Sequence, residues 1–451
     1  MIIKQFEDKN LAHYSYAILS GTEIALVDPS RNPQTYYDFA EQHQAKIIAV
    51  IETHPHADFV SSHMEIHQQT GAPIYVSKLL GAEYNHEGFD EGDAIVLGNI
   101  TLKALNTPGH SPDSICIVAY DEQGLEHALF SGDTLFIGDC GRPDLREQAG
   151  AITASRETLA KQMYHSLRDK LMQLPDTILI YPAHGAGSLC GKELSKLGVS
   201  TLGQEKQTNW CLQSQSESEF VTELLSDQAF IPKYFTHDVA LNKQGAPPFA
   251  ESIASVQIKL QITADEFIHR FEPNTIIIDS RPQDQFKTAH LKNSYNLMND
   301  SKFETWLGSI VFPGEAFYLI ASNESELKLL IARIAKIGYE SQIALAFTLE
   351  SGNTNFKFFD SSVLNKNEDD YTIIDIRNPA EVKSNRIFEH AIHIPLYELR
   401  ERTNEIPLHK PILVHCAGGF RSAVGSSIIK SLISADTEVY DLSTSVKNFQ
   451  S

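Results

Sequence analysis

Thr53-His54-Pro55-His56-Ala57-Asp58-Phe59 puts two imidazoles and a carboxylate into one short stretch. That is a metal-ligand spacing, because zinc, iron and manganese all accept these donors. Three later stretches carry matching residues: Thr107-Pro108-Gly109-His110, Phe130-Ser131-Gly132-Asp133 and Tyr181-Pro182-Ala183-His184. A second kind of chemistry is written in Cys416-Ala417-Gly418-Gly419-Phe420-Arg421. The glycines let a loop curl until its N–H groups point at one centre, and a following helix and Arg421 add positive potential. A thiolate at Cys416, or the terminal sulfur of a cysteine persulfide, is stabilised in such a cradle.

The elements that must position these residues can be read around them. Ile47-Ile48-Ala49-Val50-Ile51 is a buried strand and Val60 to Gln69 a helix, so the first cluster sits in the loop between them. Glu23 to Pro29, Ala128-Leu129-Phe130 and Ile178 to Tyr181 are further strands. Pro33 to Gln44 has helical spacing, and Thr153 to Leu174 is a long amphipathic helix capped by Ser155 or Thr153. His63 and His67, four apart, fit a solvated helix face better than a metal pair. Residues 210–257 read as a polar, irregular, extended connector. It carries Trp210, Phe220, Phe230 and Tyr234, so it is expected to pack on the first domain.

Beyond it lies an internal repeat. Ile276-Ile277-Ile278-Asp279-Ser280-Arg281-Pro282 matches Ile373-Ile374-Asp375-Ile376-Arg377-Asn378-Pro379, and Tyr318-Leu319-Ile320-Ala321 matches Leu413-Val414-His415-Cys416. Each copy has an Asp-x-Arg strand end and a later strand feeding a loop and helix, so two tandem α/β domains are expected. In the first copy Ala321 stands where Cys416 falls, and Glu326 where Arg421 falls. That copy lacks both nucleophile and cation.

The chain has 451 residues, 42% of them hydrophobic, and a formal charge of −21. The length suggests about three domains of ~150 residues each. The acidic balance argues against phosphate-backbone binding and hence against a nucleic-acid partner. No apolar run approaches the ~20 residues of a membrane span. Met1 to Glu7 has no basic region followed by an apolar one, and the five cysteines form no Cys-x-x-Cys pair. A reducing, cytoplasmic setting follows as the expectation.

The ordered His-x-His-x-Asp, His, Asp, His pattern over residues 1–209 resembles the metallo-β-lactamase fold, an αββα sandwich. One position departs: dinuclear hydrolases of that fold have His after the motif Asp, and here it is Phe59. A single metal on His54, His110 and Asp133 is then expected, which is the facial triad of non-haem Fe(II) oxygen chemistry. The resemblance thus points to persulfide dioxygenases, which use one Fe(II) per chain to convert a thiol persulfide, water and O2 to sulfite and free thiol. Gly141-Arg142-Pro143-Asp144 resembles their Gly-Arg-x-Asp loop. By that analogy His56, Asp58, His184 and Arg142 support the ligands from behind.

The Cys-x4-Arg loop, with Ala417, Gly418, Gly419 and Phe420 as cradle, resembles the rhodanese active site. Residues 353–451 are then expected to be a rhodanese domain with Cys416 and Arg421 catalytic, and 258–352 an inactive rhodanese-like domain. The whole chain is similar to bacterial fusions of these parts, in which sulfite and sulfane sulfur combine to thiosulfate during sulfide detoxification. Cys190, close after His184, is either a persulfide acceptor in that setting or a reduced loop cysteine. Cys116 alternates as a core strand residue. The expected partners are a small thiol persulfide, O2, sulfite and a second copy of the chain. A zinc thioester hydrolase of the glyoxalase II type and a non-enzymatic persulfide carrier are the competing classes.

Overall fold

The computed structural model describes residues 1–146, 155–192, 194–272, 274–366, 368–433 and 437–450. It divides into two compact units, residues 1–252 with 335–338, and residues 253–334 with 339–451.

The first unit is built on two facing sheets. One runs in order β1 (Ile2–Asp8), β2 (His13–Ser20), β3 (Glu23–Val27), β4 (Lys46–Ile51), β5 (Ile74–Val76), β6 (Glu87–Gly88). The other runs from β7 (Ala94–Leu97) through β8 (Ile100–Asn106), β9 (Ile115–Tyr120), β10 (Glu126–Gly132) and β11 (Leu179–Pro182) to β12 (Ser200–Thr201). Their inner faces share one core that includes Tyr16, Ile18, Val27, Ile51, Leu102, Ile117 and Phe130. On the outer face of the first sheet, α1 (Gln34–Gln42) and α2 (His63–Thr70) contribute Tyr36, Phe39 and Ile66 to a second cluster. On the other, α3 (Arg156–His165) packs Ala160 and Met163 against Cys116, Leu129 and Ile180. This is the αββα sandwich.

Local departures have local causes. The Ser155 hydroxyl accepts from Thr158 N–H and caps α3, while Thr153 lies outside the described residues. The helical path then widens through a π turn at Ser166–Lys170 and tightens through a 3-10 turn at Leu171–Gln173. Helix α2 starts at His63 rather than Val60, because Ser61 is held in the loop: its N–H donates to Asn242 and its hydroxyl to Glu52. His63 is buried, not solvated, with Nδ1 3.4 Å from a Glu52 oxygen. His67 instead faces the Ala72 carbonyl.

The stretch expected to be irregular is helical. After α4 (Leu202–Thr208) come α5 (Glu217–Leu225), α6 (Tyr234–Gln244) and α7 (Phe249–Ala254). Ser216 and Glu219 form a reciprocal capping box at the start of α5, a signal in the sequence that its polarity obscured. Phe220 then stacks on Trp210 and joins the core beneath α3.

The second unit holds two parallel sheets of related order. In chain order the first copy contains β13 (Ile258–Thr263), α8 (Ala264–Arg270), β14 (Ile276–Asp279), α9 (Gln283–Thr288), β15 (Ser294–Tyr295), α10 (Phe303–Ile310), β16 (Phe317–Ala321), α11 (Glu324–Ala335) and β17 (Ile343–Ser351). Its sheet order is β13-β17-β16-β14-β15. The other copy contains β18 (Thr372–Asp375), α12 (Pro379–Ser384), β19 (Ile392–His393), α13 (Leu399–Arg402), β20 (Ile412–His415), α14 (Phe420–Leu432) and β21 (Val439–Asp441), in order β19-β18-β20-β21. The Asp-x-Arg strand ends do the same work in both. Arg281 donates from Nε and Nη2 to the two oxygens of Asp279 at 2.9 and 2.6 Å, and Arg377 to those of Asp375 at 3.0 and 2.7 Å. The bidentate pair closes the turn after the strand.

His415 lies fully buried beneath the cysteine loop, and burial holds its pKa down to about 4 despite Asp375 at 3.7 Å. A neutral buried histidine contributes stability that is complete above its unfolded pKa near 6.5 and is lost as pH falls toward 4. The second unit is therefore expected to lose roughly 3 kcal/mol between those pH values. Denaturant midpoints against pH should show this slope in the wild type and a flatter one in His415→Phe.

Candidate functional sites

The first site forms where loops leave the ends of β4, β8, β10 and β11. His54, His110 and Asp133, all buried, bring one donor atom each to within 4.8 Å of one another. Both Nε2 atoms face the same carboxylate oxygen: Asp133 Oδ2 is 3.8 Å from His54 and 3.5 Å from His110. The other oxygen, Oδ1, is 3.5 Å from His184 Nε2, which also lies 3.3 Å from Asp58 Oδ2. Asp133 thus stands between two groups of donors.

A metal fits this arrangement on the evidence of the carboxylate itself. The Asp133 side chain is wholly buried, and among the described residues no N–H or O–H group donates to either oxygen, the weakly donating Cys190 thiol lying beside it. A buried charge without hydrogen bonds is stable only beside a cation. The two facing imidazoles complete a donor set for iron or zinc.

The ligands are held from behind. Asp28, at the end of β3, accepts from Thr53 N–H at 2.7 Å and from the Thr53 hydroxyl at 2.8 Å. With its proton committed, that hydroxyl accepts from His54 Nδ1 at 3.0 Å, which leaves the lone pair of the ring on Nε2, toward Asp133. His184 Nδ1 faces the Ala12 carbonyl at 3.1 Å and is oriented in the same way. Gly141 lets its loop pass directly over the site: a Cβ there would lie 2.0 Å from the Asp133 carbonyl oxygen and 3.0 Å from His110.

His56 turns away from the triad. Its Nε2 lies 3.1 Å from Asp28 and 3.3 Å from Glu52. Burial alone would lower its pKa, but the two carboxylates raise it well above the ordinary value. Burial raises the pKa of Asp58. Phe59 fills the place of the missing histidine ligand, its buried ring 3.8 Å from that of His13 and 4.3 Å from that of His56. Arg142 is spent differently from the other supporting residues. Its guanidinium donates to Asp144 and to the carbonyls of Leu189 and Ala229, so it clamps three loops together.

Cys190 does reach the site. Its sulfur falls within 4.8 Å of the Asp58 and His184 donor atoms, and burial together with Asp58 and Asp133 raises its pKa well above the ordinary value. Cys116 is an inert core thiol, pushed up to about 11 by burial. Cys140 and Cys211 sit together beside Asp139.

Several supports carry no local signal in the sequence. Asn242 on α6 donates to the carbonyls of His56 and Phe59, both at 2.8 Å, while its oxygen accepts from Ser61 N–H. Asn209 donates to the carbonyls of Phe136 and Asp139, and Trp210 Nε1 to the Asp139 carboxylate at 2.8 Å. The segment after residue 209 therefore ties down both metal-site loops. His13, Asp28 and Glu52 were equally silent.

The second site is the loop between β20 and α14. Gly419 N–H points at Cys416 Sγ at 3.1 Å, with Gly419 at φ +101°, where any Cβ would meet Thr444 N at 2.9 Å. The Ala417 carbonyl accepts from Gln450, and Phe420 opens α14. Arg421 donates to both oxygens of Glu381, at 2.6 and 2.7 Å. In the other copy, Glu326 accepts from Ser322 N–H and Asn299 Nδ2, both at 3.0 Å. An internal acid occupies the cradle there.

Comparison with known proteins finds two families along the chain. Residues 9–184 match the metallo-beta-lactamase superfamily and residues 361–451 the rhodanese-like domain. A crystal structure of a metallo-beta-lactamase from Staphylococcus aureus subsp. aureus COL superposes with TM-score 0.69 and 34% identity, covering 77% of this chain and 99% of that one. The chain belongs to the metallo-beta-lactamase superfamily and ends in a rhodanese-like domain. Superfamily relatives include the mouse mitochondrial persulfide dioxygenase ETHE1, 29% identical over 250 residues, 53% of this chain and 86% of that protein. Another is the cytoplasmic hydroxyacylglutathione hydrolase of Arabidopsis thaliana, 34% identical over 176 residues, 38% of this chain and 63% of that protein. Among the described residues no helix is long and apolar enough to cross a membrane.

Thr53→Val removes the hydroxyl between Asp28 and His54 while keeping its shape. Metal affinity is expected to fall ~10- to 100-fold, read by competition with a chromophoric chelator, and the metal-free protein to lose about 1–3 kcal/mol because buried Asp28 loses a donor.

Proposed function

We propose that the first unit oxidises a low-molecular-weight thiol persulfide with O2 and that Cys416 transfers sulfane sulfur to the sulfite formed. The observation that carries this reading is the His54–His110–Asp133 group with Phe59 in the place of the dinuclear histidine. Similarity to persulfide dioxygenases and the rhodanese-like domain supports it. The overall change is RSSH + O2 + H2O giving RSH, SO3(2−) and 2 H+.

Fe(II), one per chain and held by His54, His110 and Asp133, would supply the one-electron chemistry through which a closed-shell persulfide reacts with O2. The other residues position and protect. Thr53 and Asp28 fix the His54 ring, and Gly141 closes the loop over His110. Phe59 and His13 place rings, rather than water, beside the motif. His184 and Asp58, 3.3 Å apart, form a pair able to receive a proton released as persulfide and water are consumed. At the second site a second thiol persulfide loads Cys416, RSSH + Cys–S(−) giving RSH + Cys–S–S(−), and the terminal sulfur then passes to sulfite: Cys–S–S(−) + SO3(2−) gives Cys–S(−) + S2O3(2−). The S–S bond of the enzyme breaks and a new one forms to sulfite.

A zinc thioester hydrolase is the second reading, favoured by the hydroxyacylglutathione hydrolase relative and by Asp133 Oδ1 facing His184.

Elemental analysis and O2 uptake on protein purified without oxygen decide between them. About one iron per chain with persulfide-dependent O2 consumption is expected. Two zinc ions and no O2 uptake would move the assignment to hydrolysis. In Cys416→Ser, O2 uptake should persist while sulfite accumulates in place of thiosulfate; an unchanged thiosulfate yield would refute the transfer step.

A further inference from the structure

Arg421 is the cation of the second site, yet its charge is cancelled by Glu381, which takes one donor from each of Nη1 and Nη2. What remains for an anion is directed N–H: one on each of Nη1 and Nη2, and that of Nε, which has no protein acceptor among the described residues. The use of these N–H groups depends on where the guanidinium plane is held. Glu381 fixes its edge. Its Cζ lies over the Trp306 ring, 5.8 Å from the ring centre, on α10 of the copy that has no nucleophile.

Helix α10 is in turn anchored by the active copy. Arg400 on α13 donates to the carbonyl of Ile310, the last residue of α10, at 2.7 Å. It also pairs with both oxygens of Glu315 at 2.8 Å and lies 5.4 Å from the Phe312 ring. Trp306 and Phe303 are buried, so the helix cannot turn its aromatic face elsewhere. A continuous set of contacts runs from Arg400 through α10 and Trp306 to Arg421, the residue five positions after the nucleophile.

We infer that Trp306 is a positioning residue of the sulfur-transfer site, so that the inactive copy supplies part of the acceptor-binding pocket for a small oxyanion such as sulfite. The inference rests on the proposed role of Cys416, and it explains why a copy without a nucleophile is built into the same unit. A ring over the guanidinium face orients the Nε–H by cation–π attraction. It also excludes water from that face, which strengthens a hydrogen bond to an anion.

The test uses the full chain. Calorimetric titration of sulfite into Cys416→Ser, with and without Trp306→Ala, reads acceptor binding without turnover. Trp306→Ala is expected to weaken sulfite about fivefold, and Trp306→Phe to restore affinity to within about twofold. Arg400→Met, which frees the end of α10 without touching Arg421, should shift affinity in the same direction. With Cys416 intact, the same substitutions should raise the KM for sulfite and leave kcat nearly unchanged. Equal sulfite affinity in all variants, or no sulfite binding by the parent, overturns the inference. Loss of sulfur transfer in the wild type would overturn the role of Cys416 instead, and the titration would still report on Trp306.

Discussion

Asp133 is a carboxylate sealed from water, with no N–H or O–H group among the described residues donating to it. Such a group is tolerable only beside a cation, and the facing imidazoles offer a place for a metal. Much of the first unit serves that requirement. Both sheets end their strands at this point, and the donors on the other side are set by residues bonded to Asp28, Ala12 and Asn242. The two oxygens of Asp133 face different sets of ring nitrogens, so the same residue defines the triad and borders the Asp58–His184–Cys190 group beside it. The fold supplies convergence, and the carboxylate makes convergence on a cation necessary.

What was legible in the sequence was whatever sits at a strand end. His54, His110, Asp133 and His184 each follow an apolar run, and runs of that kind deliver their next residue to the edge of a sheet. The same logic reached Cys416 after β20. The repeat was legible because its Asp-x-Arg turns are local, with donor and acceptor two residues apart.

The rest depended on partners far along the chain. Asn242 bonds to residues more than 180 positions away, and no periodicity marks it. Asp28 looked like the end of a strand, not the residue that orients Thr53. His63 was misplaced because helical spacing says which residues share a face and nothing about what lies beneath. Here that is Glu52, itself buried. The helices after residue 209 were hidden by short length and polar surface, although the Ser216–Glu219 box was written in plain form. The segment is a brace for the metal-site loops, and its aromatic residues were the visible trace of that.

Glu326 carries a chemical consequence. By accepting the Ser322 N–H and the Asn299 amide, its carboxylate has become the internal counterpart of the anion that the other cradle would bind from solution. A cysteine installed at Ala321 would therefore meet negative charge where a thiolate needs the opposite. A thiolate in this copy would therefore require at least two substitutions, one at Ala321 and one at Glu326, and neither is useful without the other.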